Sequence, residues 1–397
     1  MIYIDDKYKC CGCNACVQRC PKLCIHMQVD EEGFSYPYVD KDFCIGCNLC
    51  EQVCPMISGN EPHMPEAVYA AVSTEDVNRL ESSSGGVFFA LSEKIIKHYK
   101  GIVYGAAFDE TWNVRHVRCE TLEEVLALRG SKYVQSDVGN CFKLAERDLR
   151  DGRTVLFSGT SCQILALRKY LRQLYPKLIT LDVICHGVPS PSVWQAYISE
   201  NIGLSSEGRM CIKDISFRNK KDGWKKYNLT VTGVKIENQS AMTSERKHMT
   251  EACVFSECHK ENEFMKLFLR NIILRPSCAN CPAKKGRAGS DISLGDFWNI
   301  GERYPCFDDD KGVSMVLVNT EKGKTVLYDL NIEKIEVDYQ FALSGCSMLE
   351  TSPSESVLRP VFFKNFHKGF QYSVKEVNKQ LRLSFKKRLF NWLTGHL

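Results

Sequence analysis

The sequence predicts a cysteine-rich α+β domain, then an α/β domain with a mostly parallel sheet, then a smaller C-terminal α+β region. Three observations carry this prediction. A Cys-x2-Cys-x2-Cys-x3-Cys-Pro run occurs twice within the first 57 residues. Residues 154–184 read as strand, helix and strand. A late Cys-x-x-Cys pair, Cys278 and Cys281, sits just ahead of the alternating stretch "SDISLGDFW".

At 397 residues the chain has room for two or three domains of about 150 residues each. Its 44% hydrophobic and 25% charged residues suit a globular protein with a sizeable core. The formal charge of +4 makes no case for nucleic acid or bulk membrane binding. No stretch approaches the ~18 consecutive apolar residues of a membrane span. The start, "MIYIDDKYKC", lacks the basic-then-apolar pattern of a signal peptide. The expected location is therefore cytoplasmic, where thiols stay reduced. Ten of the 21 cysteines fall in the first 54 residues, and such clustering points to metal rather than disulfides.

The first element, residues 1–57, holds Cys10, Cys13, Cys16 and Cys20, then Cys44, Cys47, Cys50 and Cys54. Each cysteine of the second run lies 34 residues after its counterpart. This internal repeat resembles the run that bacterial ferredoxins use for [4Fe–4S] clusters. Three close thiolates grip one cubane, while the fourth reaches across to the other. The expected sets are Cys10, Cys13, Cys16 and Cys54 for one cluster, and Cys44, Cys47, Cys50 and Cys20 for the second. Zinc knuckles would use the same residue types. Between the runs, "IHMQV", "DEEG" and "FSYPYV" read as a hairpin. Cys11 and Cys24 fall outside the pattern and read as small buried hydrophobes.

Residues 58–67, with two prolines and no period, read as a linker. The α/β domain then covers 68–200. "AVYAAVS" is a strand, "SSSGG" a loop, Val87 to Tyr99 a helix and "GIVYGAAF" a buried strand. Ser84, Gly85 and Gly86 open that helix, where free N–H groups suit a phosphate and where plain capping gives the same letters. "RGSKYVQS" brings Gly130, Ser131, Lys132 and Tyr133 into one loop, suited to an anionic or planar cofactor or to a surface turn.

Strand 154–157, helix 162–174 and strand 178–184 form a βαβ unit, so the strands should be parallel with a right-handed crossover. Cys162 and Cys185 then fall just past the carboxyl ends of those strands, where open α/β sheets bind ligands. With Cys278 and Cys281 they offer four thiolates, suited to zinc or to a third cubane. Economy favours iron in a chain that already carries two clusters. Cys162 at a helix N-terminus would also suit a nucleophile, and His186 beside Cys185 a proton donor or a bond to a backbone carbonyl.

The motifs "SSSGGVFFAL", "GIVYGAAF", "GSKYVQS", "FSGTSCQILALR", "ICHGVPSP" and "RPSCANC…SDISLGDFW" occur in the order seen in the coenzyme F420 hydrogenase/dehydrogenase beta-subunit family. The resemblance is strong over about 66–200 and 264–300, and weak over 201–263 and after 300. It implies an FAD-containing iron–sulfur oxidoreductase acting on deazaflavin F420 or another small molecule. It carries a cluster role to Cys162, Cys185, Cys278 and Cys281, and flavin contacts to Ser84, Gly85, Gly86, Gly130, Ser131, Lys132 and Tyr133. Ser161 departs from it, since many relatives have proline there.

On this reading, electrons arrive singly from a donor such as ferredoxin or a redox-complex subunit, and leave in pairs to a small molecule. The alternatives are a non-catalytic electron-transfer subunit, or a Cys162 nucleophile enzyme with structural zinc.

The C-terminal region, 201–397, offers Asp291, Asp296 and Trp298 to a cofactor cavity, with ordinary strand packing the favoured role for Trp298. "KKGRAG" reads as a solvated loop. Leu381, Phe385, Leu389, Trp392 and Leu393 form one helical face opposite Arg382, Lys386 and Lys387. That face suits packing on its own domain or a partner, with a membrane surface as the less favoured reading.

Overall fold

The computed structural model describes residues 1–202, 209–236 and 252–393. The hairpin between the cysteine runs pairs β1 (Ile25–Val29) with β2 (Ser35–Val39) antiparallel, as the alternation predicts. Its turn packs deep against the rest of the chain. Gly33 has φ +82, and a Cβ there would sit 2.2 Å from Cβ of Ser192. Only glycine fits such a positive-φ position at that approach. The neighbouring Glu32 forms a bidentate ion pair with Arg359, and its carbonyl accepts from Ser190 Oγ at 2.6 Å.

The strands that follow are β3 (Ala67–Ser73), β4 (Ile102–Phe108), β5 (Val114–Cys119), β6 (Val155–Thr160) and β7 (Leu178–Val183). Next come β8 (Arg209–Asn219), β9 (Asn228–Ile236), β10 (Ala252–Cys258), β11 (Ile292–Asp296), β12 (Ser314–Val318) and β13 (Ile332–Glu336). Eight of them form one sheet in the order β13-β3-β12-β11-β7-β6-β4-β5. The β6–β7 pair is parallel, as the strand–helix–strand reading requires, and β4 and β11 extend that parallel centre.

The expectation of a mostly parallel sheet needs correction. β5 returns antiparallel on β4, while β12, β3 and β13 make an antiparallel flank. The five-residue β4–β5 connection is too short for a crossover, so it can only make an antiparallel hairpin. The sheet also runs across the boundary expected at 200/201, because β11–β13 join β3–β7.

The helix expected from Val87 spans Val87–Lys97 and buries Val87, Leu91 and Ile95 against the sheet. On the opposite face lie the helices Cys141–Arg150 and Ser161–Leu171. β8, β9 and β10 form a separate three-stranded antiparallel sheet, in a stretch where the sequence reading placed no element. Its apolar face packs with Trp194, Phe264, Phe362 and Phe370 in one cluster. Each such fully buried side chain contributes about 1.5–3 kcal/mol.

The long C-terminal helix Phe370–Leu393 joins this cluster through Phe370, Val374 and Val377, with Leu381 packed at its edge. Those contacts accord with packing on its own domain. The side chains of Phe385, Lys386, Lys387, Leu389, Trp392 and Leu393 lie outside the described residues. No helix among the described residues is long and apolar enough to cross a membrane.

Two loop expectations change. The linker runs along the 284–289 loop: His63 N donates to Lys285 O at 2.9 Å, and Asn60 Nδ2 to Arg287 O at 3.0 Å. That loop is correspondingly not solvated at its start. Lys284 is buried, and its Nζ donates to the carbonyls of Cys185 at 2.7 Å and Met348 at 2.6 Å.

Candidate iron–sulfur and cofactor site

Glycines at positive φ, Gly12 and Gly46, turn the two cysteine runs, and each run ends in a short helix. The fold gathers the cysteines around two small cavities. Cys10, Cys13, Cys16 and Cys54 line one small cavity. Cys20, Cys44, Cys47 and Cys50 line another, with Cys24 beside them. Ile2 N donates to Cys50 Sγ at 3.3 Å, and the Cys20 and Cys24 sulfurs lie 3.4 Å apart.

A third cavity is lined by Cys162, Cys185, Cys278 and Cys281. Cys162 stands in the first turn of the helix Ser161–Leu171, directly after β6. Cys185 follows the end of β7. Cys278 lies in the 3-10 turn Pro276–Asn280, which Cys281 caps. The side chains hold partners around the sulfurs. Val188 N donates to Cys278 Sγ at 3.4 Å, and Thr160 Oγ1 lies 3.2 Å from Cys162 Sγ. Ser161 donates from Oγ to Asp182 Oδ2 at 2.5 Å, so a hydrogen bond fixes the loop.

Burial pushes the Cys185 thiol up to about 12, and burial raises Cys278 further. Burial also lifts Cys281 to about 11. Cys162 is raised first by a hydrogen bond with Cys11 and then by burial. Neutral thiols in the bare chain need a metal's charge to become ligands. Among the described residues no three His, Cys, Asp or Glu side chains converge to hold a single ion. The sulfurs surround a space instead.

Cys11, read from sequence as spare, lines both the Cys10 cavity and the Cys162 cavity. Its neighbour outside the pattern, Cys24, borders the remaining one. Their position beside a run gives no signal of this, because it depends on how the domain docks.

Beyond the third cavity lies a large one of about 440 Å³. Thr160, Cys185, His186, Gly187 and Val188 border both. Ser84, Gly86, Gly130, Ser131, Lys132 and Tyr133 line the large cavity, and Ser131 N donates to Ser83 Oγ at 2.6 Å, tying the two loops together.

Gly85 is the exception and corrects the expectation. It points into the sheet, where a Cβ would sit 2.3 Å from the Ala71 carbonyl oxygen, so it serves close packing. Asp296 and Trp298 also line the cavity, whereas Asp291 does not. The Asp291 carboxylate is buried and accepts from Thr180 N and Oγ1, both at 2.8 Å, which holds β7 against the β11 segment. His186 Nε2 donates to Asn271 Oδ1, 2.6 Å away, rather than to a backbone carbonyl.

Arg218 and Tyr227, from the unexpected three-stranded sheet, complete one wall. The Arg218 guanidinium lies 4.1 Å from the Tyr227 ring centroid and 5.0 Å from that of Trp298. Trp298 in turn stacks on Trp224 at 4.5 Å. Arg218 has a buried Nε with no hydrogen-bond partner among the described residues. A volume of this size, with an aromatic wall, an unsatisfied cationic donor and a lysine, fits a planar group with an anionic tail.

Residues 9–57 match the 4Fe-4S dicluster domain model, which makes the chain an iron–sulfur protein of mixed α/β fold. Residues 152–339 match the family described as the C terminus of the coenzyme F420 hydrogenase/dehydrogenase beta subunit. A solved chain titled as the xenon-derivatised F420-reducing [NiFe] hydrogenase complex from Methanosarcina barkeri is similar at 18% identity and a TM-score of 0.46. That likeness covers 81% of this chain and 92% of the solved one. No curated protein matches.

Proposed function

We propose that the chain is an iron–sulfur flavoprotein oxidoreductase. It carries electrons from two ferredoxin-type clusters, through a third cluster, to FAD and a two-electron acceptor, an F420-like deazaflavin or another small molecule. One observation carries the reading: the cavities share walls in series. Cys11 borders both the Cys10 cavity and the Cys162 cavity, and Cys185 borders both the Cys162 cavity and the large one.

Bound FAD would supply the conversion between single electrons and pairs, and the protein supplies binding and orientation. Ser84, Gly86, Gly130, Ser131, Lys132 and Tyr133 would hold it. The Lys132 ammonium offers charge to an anionic tail, and it is anchored by the carbonyl of Arg129 at 2.9 Å. Arg218 would present a cation braced by two aromatic rings. The four cysteines that line one cavity suit a cubane at Cys162, Cys185, Cys278 and Cys281.

Anaerobic purification, with iron, sulfide, zinc and flavin counted per chain, tests this. Three cubanes and a flavin predict about twelve iron and about one FAD. A count of about eight iron with about one zinc would overturn the third cluster. Turnover by the isolated chain with a small-molecule acceptor separates an enzyme from a subunit that hands its electrons to a catalytic partner.

A further inference from the structure

The dicluster domain meets the later four-cysteine cavity across one buried cation. Arg275 is 1% exposed and immediately precedes the turn that bears Cys278. Its Nε donates to the Cys10 carbonyl at 2.7 Å and its Nη2 to the Ser35 carbonyl at 2.9 Å. Its Nη1 donates to Gln135 Oε1 at 3.0 Å. Gln135 in turn donates from Nε2 to the Cys11 carbonyl at 3.0 Å.

The main chain of the same residue reaches the other centre. The Arg275 carbonyl accepts from Cys278 N at 3.0 Å, and Arg275 N donates to the Val188 carbonyl at 3.0 Å. The first cysteine run is shaped around it: a Cβ on Gly12 would stand 2.7 Å from Nη1. Tyr36 lies under the guanidinium, 4.3 Å from ring centroid to carbon.

All three of its side-chain hydrogen bonds go to neutral oxygens. A guanidinium buried in that way is unfavourable unless a negative charge lies near. Cys10, Cys11 and Cys278 are among its nearest acidic neighbours, and thiolates bound to iron supply such a charge. A buried positive charge beside a cluster favours the form carrying one more electron.

We infer that Arg275 is the positioning and potential-setting residue at the crossing between the Cys10 cluster and the four-cysteine centre. Its side chain holds the first, its backbone holds the second, and its charge favours reduction on both sides. The half concerning the four-cysteine centre rests on the function proposed above. The half concerning Cys10 rests on the dicluster domain alone.

The test uses the full chain purified anaerobically, with iron counted and the clusters titrated by EPR at fixed potentials. Arg275→Gln should keep the parental iron and lower the reduced-to-oxidised ratio of the Cys10 cluster by roughly tenfold at a fixed potential, the response to losing a nearby buried charge. Arg275→Lys keeps the charge and should restore most of that ratio. Gln135→Glu places a carboxylate against the guanidinium and should lower the ratio in the same direction. Unchanged ratios in Arg275→Gln with full iron would overturn the inference, as would an equal shift in Arg275→Lys.

If Arg275→Gln loses iron, Gln135→Glu decides: an unmoved ratio there sinks the proposal. A parental iron count without a third cluster would remove the four-cysteine reading and leave the Cys10 shift as the measure of Arg275.

Discussion

The buried Arg218 pairs with the half-buried Asp296 at the wall of the large cavity, with Nη1 2.8 Å from Oδ2 and Nη2 3.3 Å from Oδ1. The pair fastens β8 of the small sheet to the end of β11 in the large one. Tyr133 OH also accepts from Nη1, at 3.0 Å, so a loop that lines the cavity depends on the same cation. Asp296→Ala would strand the guanidinium without its counter-charge. The expected loss is about 3 kcal/mol, read as a lower urea midpoint, with Asp296→Asn intermediate.

Lys132 gives the cavity a pH response. Burial pushes its ammonium down to about 7, so near neutrality it is only partly charged when the cavity holds no anion. An anionic tail favours the protonated form, so binding takes up a proton at higher pH. FAD affinity should therefore fall as pH rises through about 7, by up to about tenfold per pH unit. Fluorescence titration of added FAD reads it, and Lys132→Met should bind more weakly with a flat profile.

His116 sets an acid limit on stability. Its Nε2 lies 3.0 Å from the Ser158 carbonyl and its Nδ1 3.0 Å from Ser136 Oγ. Burial pushes its pKa down to about 4. The folded imidazole stays neutral where the unfolded one protonates, so this contribution is whole above about 6.5 and is lost as pH falls toward 4. The loss is on the order of 3 kcal/mol. The acid limb of urea unfolding should flatten in His116→Gln; an unaltered limb would refute the assignment.

On the proposed function, four of the five cysteines at the third cavity are ligands and Cys11 is their neighbour. Cys281→Ser should remove about four iron per chain and leave the EPR signals of the dicluster domain. Cys11→Ser should keep the full count. Iron lost from the third site in Cys11→Ser would make Cys11 a ligand and displace one of the four.

The grouping of the cysteines around three cavities was legible because a repeat of 34 residues and a strand–helix–strand pattern are local signals. The spacing of Cys162 and Cys185 follows from two parallel strands with one crossover. The lining of the large cavity by Arg218, Tyr227 and His116 was not legible, since these residues come from separate segments with no shared spacing. Asp291 and Asp296 sit in one strand motif and look equivalent in sequence. Only the neighbouring β7, through Thr180, claims the first and leaves the second to the cavity. Arg275 lay inside the quoted "RPSCANCP", but its meaning depends on a contact with Cys10 from the far end of the chain.

The order of the large sheet has a consequence for synthesis of the chain. β3 is made early, yet its two sheet neighbours, β12 and β13, lie about 240 and about 260 residues later. While the ribosome makes the intervening chain, an apolar strand emerges with both edges unpaired, and such edges invite wrong pairing. The dicluster repeat carries its own hairpin and can close first. Cells making this protein at high rate are therefore expected to need a holding chaperone for the stretch around β3 until β13 has emerged.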